Sequence, residues 1–175
     1  MMMPACFHRF FLLAGAFLLV GCGGASKEAD FKGKLVPVSG VVKIDGAPVA
    51  GVQIAFVPRS GIGGNPNEAL VRIASGTTDS EGKYTLSTHP GGPATKKELE
   101  GYSGILPGKY SATFSLWVMP DGTPWEASSN QKQGPAVSGA VEKLPAKLGN
   151  PSTTPHSVEI KEGGNTSLNF DLTTK

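Results

Sequence analysis

Few side chains in this protein carry reactive chemistry, and the thiol of Cys22 is foremost among them. A thiolate is a strong nucleophile, and this one closes the tetrapeptide Leu19-Val20-Gly21-Cys22 with small residues on both sides. General acid–base work needs a positioned histidine or carboxylate. Beyond the first stretch of the chain the histidines are His89, beside Pro90, and His156, at the start of a β-type run. Neither has a carboxylate at a fixed spacing, so both read as surface residues. Asp79-Ser80-Glu81 offers oxygen ligands of the kind Ca²⁺ takes, but a Ca²⁺ site needs about six or more of them, so the segment reads as a turn. Gly61-Ile62-Gly63-Gly64 lacks the helix and the Lys-Ser/Thr pair of a phosphate loop and reads as plain loop. Asn165-Thr166-Ser167 spells a glycosylation triplet and reads as part of a turn. These residues assign no catalytic, cofactor-binding or metal site, and no cofactor. Cys22 is left as the modification site.

The apolar run Phe10 to Val20 follows Arg9, and no acidic residue precedes it. It has the length of a secretory h-region and falls short of the ~20 residues that span a bilayer. Run, small residues and cysteine together resemble the signal of bacterial lipoproteins, in which a leucine three positions before the cysteine and a small residue just before it fit the lipoprotein signal peptidase. The resemblance implies a signal peptide over 1–21, a thioether-linked diacylglyceryl group on Cys22, and anchoring to a membrane of the cell envelope with the domain outside the cytoplasm. One acyl chain binds reversibly, whereas two or three hold. Gly23 stands where some bacteria read a sorting signal, so inner and outer membrane both stay open.

Cleavage after Gly21 leaves 154 of 175 residues and lowers the formal net charge from +2 to +1, because Arg9 is the only formal charge removed. The lysines are scattered, which argues against nucleic acid as a partner. Cys6 leaves with the signal and Cys22 carries the lipid, so the remaining domain has no disulfide and rests on its core. From Gly23 to about Val36 the chain is small and polar without a period. Residues 22–36 read as lipidated cysteine and tether, with a reach of roughly 20 Å as a flexible coil.

The elements that must carry any site are short β-type runs between turn signals. Val38 to Ile44 alternates and meets Asp45-Gly46-Ala47-Pro48; Val49 to Val57 puts Val52, Ile54 and Phe56 on one face, and Pro58 ends it. Leu70 to Thr78 stops at Asp79-Ser80-Glu81-Gly82, and Lys83 to Thr88 follows. Between His89 and Ser103, TKKELEGY has the makings of one helical turn. Lys109 to Val118 is the strongest run, with Tyr110, Ala112, Phe114 and Leu116 alternating against Ser111, Thr113, Ser115 and Trp117. Two final runs, His156 to Lys161 and Thr166 to Leu172, are joined by Glu162-Gly163-Gly164-Asn165, a hairpin signal. About seven strands with no helix of ten residues predict an all-β, antiparallel β-sandwich over 37–175. Before the last hairpin lies a long irregular loop, 119–155, mobile in its first half and docking Leu144 and Leu148 in its second.

The segments SGVVKIDGAPVAGVQIAFVP, SGTTDSEGKYTLST and GILPGKYSATFS resemble the carboxypeptidase regulatory-like domain, a small transthyretin-like (prealbumin-like) β-sandwich. The match spans roughly Val38 to Ser115, and the ending from Leu144 onward is similar to short bacterial lipoproteins that carry this domain alone. Leu148 departs from the aromatic expected at its place, and the segment after Met119 is longer than usual. Some transthyretin-like proteins hydrolyse 5-hydroxyisourate and end in Y-R-G-S, but this chain ends in NFDLTTK. Intradiol dioxygenases share a related sandwich and bind iron through two tyrosines and two histidines. Here Tyr84 and Tyr110 fall at core-facing positions and read as core, with Tyr102, His89 and His156 left over.

The expectation is therefore a membrane-anchored, non-catalytic lipoprotein carrying a β-sandwich binding or structural module. Its partners are the membrane, through Cys22, and an unidentified protein or glycan. A carbohydrate-binding module would stack sugars on Trp117, Trp125 or Tyr102. A transthyretin-like hydrolase would need His89 and His156, and a subunit of a surface assembly would pair through an exposed sheet edge.

Overall fold

The computed structural model describes residues 32–59, 72–88, 101–126 and 134–175. Cys22, His89, the glycines at 61–64, the TKKELEG stretch up to residue 100 and most of the tether lie outside the described residues. Among the described residues no helix is long and apolar enough to cross a membrane.

After a 3-10 turn at Lys32–Lys34, the strands are β1 Ser39–Ile44, β2 Ala47–Pro48, β3 Gln53–Pro58, β4 Ala74–Thr77, β5 Lys83–Thr85, β6 Ser87–Thr88, β7 Gly108–Ser115, β8 Trp117–Val118, β9 Val141–Glu142, β10 Ser157–Ile160 and β11 Phe170–Leu172. One short helix, α1, covers Ala146–Gly149. The class is all-β. One sheet runs β11-β1-β2, with β5 also paired to β1; a second runs β10-β7-β3-β4-β6; β8 and β9 form a ribbon.

Strand β1 turns into β2 because Asp45 and Gly46 both take positive φ, 50° and 84°, the two-residue geometry that matches the twist of a hairpin. The next turn is held by Asp79, whose Oδ1 accepts the backbone N–H groups of Glu81 and Lys83 at 2.9 Å each. Both turns match the roles expected of them. The alternation is also as expected: Val52, Ile54 and Phe56 are buried, as are Tyr110, Ala112, Phe114 and Leu116. One cluster takes side chains from both sheets, and Phe170 of β11 lies edge-on to Phe114 at 4.8 Å and to Phe56 at 6.3 Å between ring centroids. Each fully buried large apolar side chain contributes roughly 1.5–3 kcal/mol.

Three expectations are corrected. Strands β10 and β11 do not form a hairpin: β10 pairs with β7 in one sheet, and β11 runs parallel to β1 in the other, with Val42 opposite Phe170. The physical reason is capture by a partner far along the chain. After Gly164 the chain is captured by β1, with Asn165 N–H donating to Pro37 O, Ser39 N–H to Asn165 O, and Leu168 N–H to Ser39 O. The sheet is therefore mixed and not purely antiparallel. Second, two of the runs are divided. Lys83 to Thr88 leaves one sheet for the other at Leu86, and Lys109 to Val118 breaks at Leu116; with the two-residue strands β2 and β9 added, the described strands number eleven instead of about seven. Third, the start of the 119–155 segment is built and not irregular: Met119 N–H donates to Thr123 O, Gly122 N–H to Met119 O, and Trp125 N–H to Trp117 O, whereas residues 127–133 of its first half lie outside the described residues. In its second half Leu144 and Leu148 dock as expected, both buried.

Candidate functional site

Strands β3, β4 and β7 send alternate residues to the core, so the others must line the opposite face of the sheet. The register places Gln53 between Thr77 and Ser115, and Ala55 between Ser75 and Thr113. The outcome is two parallel rows of small hydroxyl, methyl and amide side chains. Over them lies an open groove of about 1220 Å³, whose lining includes Gln53, Ser75, Thr77, Thr113, Ser115 and Trp125. Thr113 is 7% exposed and donates from Oγ1 to Ala55 O at 3.1 Å, while Ser75 and Thr77 are open to solvent.

The indole is positioned by a chain of local contacts. Asp121 accepts hydrogen bonds on Oδ1 from Thr123 N at 2.9 Å and from Thr123 Oγ1 at 2.6 Å, which closes the reversal after β8. These bonds also hold the Asp121 carboxyl below its ordinary pKa. Pro124 then packs on Gly51, where an added Cβ would sit 2.3 Å from Pro124 Cβ and the backbone φ is +79°. Only glycine meets both demands without strain. Trp125 itself is half-buried, and its Nε1 is buried with no hydrogen-bond partner among the described residues.

Electrostatically the groove is almost neutral. Among the described residues neither lysine nor arginine lines it, and Glu126 is the only ionisable residue there. Such a surface offers hydroxyl and amide donors and acceptors beside an aromatic ring.

The residues singled out from sequence are scattered. His156 is half-buried, not a free surface residue: its ring stands edge-on to Phe114 at 5.3 Å and to Phe170 at 5.6 Å, and desolvation lowers its pKa below the usual value. Tyr84 and Tyr110 are buried, as expected of core, and each hydroxyl donates to a backbone carbonyl at 2.7 Å, of Leu168 and Leu106 respectively. Burial raises both phenol pKa values, that of Tyr110 to about 12. Asp79 and Glu81 belong to the turn already described, and among the described residues no group of three histidine, cysteine or acidic side chains is placed to hold a metal. Asn165 Oδ1 accepts from Ser167 N at 3.0 Å. Trp117, Trp125 and Tyr102 are all half-buried, so none is the fully exposed platform expected of a carbohydrate-binding module.

Sequence alone points to Trp125 but not to the sheet face beneath it. The signal for that face is present in the polar half of the alternation, Thr113 and Ser115 in β7 and Gln53 in β3. What it lacks is the register that aligns them. No known protein family, curated protein or solved structure matches the chain.

Proposed function

We propose that the protein is a lipid-anchored, non-catalytic lipoprotein that displays a β-sandwich binding module at the cell envelope, outside the cytoplasm. The single observation that carries the anchor is Cys22 in Leu19-Val20-Gly21-Cys22, directly after the Arg9-led apolar run Phe10 to Val20. The anchor is the lipid and not a protein segment, because eleven or so apolar residues are too short to span. A sandwich of the transthyretin-like, carboxypeptidase regulatory-like type is supported by the two sheets that share one aromatic core around Phe170. A binding role is supported by the groove, whose described lining offers hydroxyl and amide side chains beside Trp125 and one carboxylate, Glu126.

Replacing Cys22 with Ala tests the anchor. In cells labelled with a radioactive fatty acid, the natural protein is expected in the membrane fraction and labelled, and Cys22→Ala unlabelled and released from that fraction. Retention of the variant in the membrane fraction would sink the proposal.

A further inference from the structure

We infer that the groove where the chain enters the sandwich sits on the membrane that holds Cys22, with Lys34 and Glu162 gripping the headgroup of a phosphatidylethanolamine-type lipid. The inference rests on reading Cys22 as lipidated, and adds which face of the domain meets the bilayer.

The point of entry is fixed by backbone contacts on two sides. Val36 N–H donates to Ile105 O at 2.9 Å and Ile105 N–H to Val36 O at 3.0 Å, while Asn165 N–H donates to Pro37 O at 2.9 Å. Each flanking loop comes close on a glycine with positive φ, 105° at Gly104 and 72° at Gly164. A Cβ added at Gly104 would lie 2.6 Å from Val36 O, and one at Gly164 2.3 Å from Pro37 O, so only glycine allows both approaches. The chain toward Cys22 therefore leaves the domain at one set place, between the loop at 104–107 and the turn at 161–164.

A groove of about 450 Å³ opens at that place, with Lys34, Leu35, Val36, Leu106, Pro107 and Glu162 in its lining. Tyr110 fixes Leu106 by donating from its hydroxyl to the Leu106 carbonyl at 2.7 Å. Leu35, Val36, Leu106 and Pro107 give the groove apolar walls. Lys34 and Glu162 are both exposed, and no ion pair joins them among the described residues. An ammonium and a carboxylate that share a groove without pairing suit a ligand that carries both charges itself. Lysine donates to a phosphate, and a carboxylate accepts from a primary ammonium. Phosphatidylethanolamine has those two groups on one headgroup, above acyl chains that match the apolar walls.

Chain length brings this groove to the bilayer. Cys22 lies ten positions before Lys32, where the 3-10 turn begins, so at roughly 3.5 Å per residue the groove stays within about 35 Å of the anchor. A link that short holds the domain at an effective concentration on the order of millimolar. A headgroup grip too weak to recruit a free protein is then enough to orient a tethered one. Strand β1, Ser39–Ile44, runs away from the groove, which puts the Asp45-Gly46 turn about 20 Å farther from the membrane.

The test places the lipidated protein in nanodiscs of phosphatidylcholine, with or without phosphatidylethanolamine, that contain a lipid bearing a nitroxide high on its acyl chain. A fluorophore is attached at Gly163→Cys, where an added Cβ meets nothing within 4 Å, or at Ala47→Cys, exposed on β2 at the far end of β1. The nitroxide is expected to quench the label at position 163 several-fold more than the label at 47, and more in discs that contain phosphatidylethanolamine. Lys34→Ala should lower the quenching at 163. Glu162→Gln should remove the preference for phosphatidylethanolamine, because the trimethylammonium of phosphatidylcholine has no N–H to give a carboxylate. Equal quenching at the two positions overturns the inference, as does quenching at 163 that neither the headgroup nor these two substitutions change. Fatty-acid labelling of the same protein tells the failures apart. An acylated protein whose label at 163 stays unquenched overturns the membrane-facing groove alone, whereas a protein without fatty acid overturns the anchor and the groove together.

Discussion

His156 shows how one side chain can matter without touching a ligand. Its imidazole fills the gap between Phe114 of β7 and Phe170 of β11, and desolvation favours the neutral form in the folded protein. A histidine whose folded pKa is depressed contributes stability above the unfolded value of 6.5, and that contribution is lost as pH falls through the lower, folded pKa. The natural protein is therefore expected to lose stability over the interval in which pH falls from neutral to below the ordinary histidine value of 6.5. His156→Phe keeps the ring contacts without the proton, so it should lose less over the same interval. Urea midpoints for the two proteins at both ends of the interval decide it, and equal losses would remove His156 as the cause. Thr78 makes a related point, since its Oγ1 accepts from Val52 N at 2.9 Å and donates to Val49 O at 2.7 Å. Thr78, directly before the Asp79 turn, is thus a staple inside the fold.

At the scale of elements, the break in the longest run is where a side chain replaces a strand. Between β7 and β8 the chain at Leu116 leaves the sheet, and Glu142 of β9 accepts the N–H of Leu116 at 2.8 Å and of Leu144 at 3.0 Å on one carboxylate oxygen. Glu142→Ala strands both donors, and Leu116 is buried, so the expected cost is about 2 kcal/mol. Glu142→Gln, which retains an acceptor, should recover most of it. Denaturant unfolding of the three proteins measures the difference, and a neutral Glu142→Ala would show that the bonds are not needed. This element also marks the limit of what the sequence discloses. Period-two alternation finds Ile54, Phe56, Tyr110 and Phe114, and turn chemistry finds Asp45-Gly46 and Asp79, because both depend on neighbours close in sequence. The break at Leu116, the transfer of the chain between sheets at Leu86 and the fate of β11 depend on partners far along the chain. The face beneath Trp125 is hidden for the same reason: each of its rows takes one residue from each of three strands.

For the whole molecule, the governing feature is that β1 is the hub of its sheet, meeting β2, β5 and β11. The β11 contact supplies Phe170, which touches Phe56, Tyr84, Phe114 and His156 and so joins both sheets to one core. A chain ended at Gly164 lacks that ring and the last partner of β1. Its thermal unfolding is expected to lose cooperativity and its near-ultraviolet circular dichroism to collapse; a sharp transition at the natural temperature would show that the remaining strands suffice.

The parallel pairing of β1 with β11 also imposes an order in time. Val41 N–H bonds to the side chain of Asn169, 128 positions away, so the first strand has its full set of neighbours only after more than a hundred further residues have appeared. Contacts of such long range are slow to form. A chain threaded N-terminus first through a narrow channel would therefore keep β1 unclosed throughout its passage, and could shut the core only on the far side.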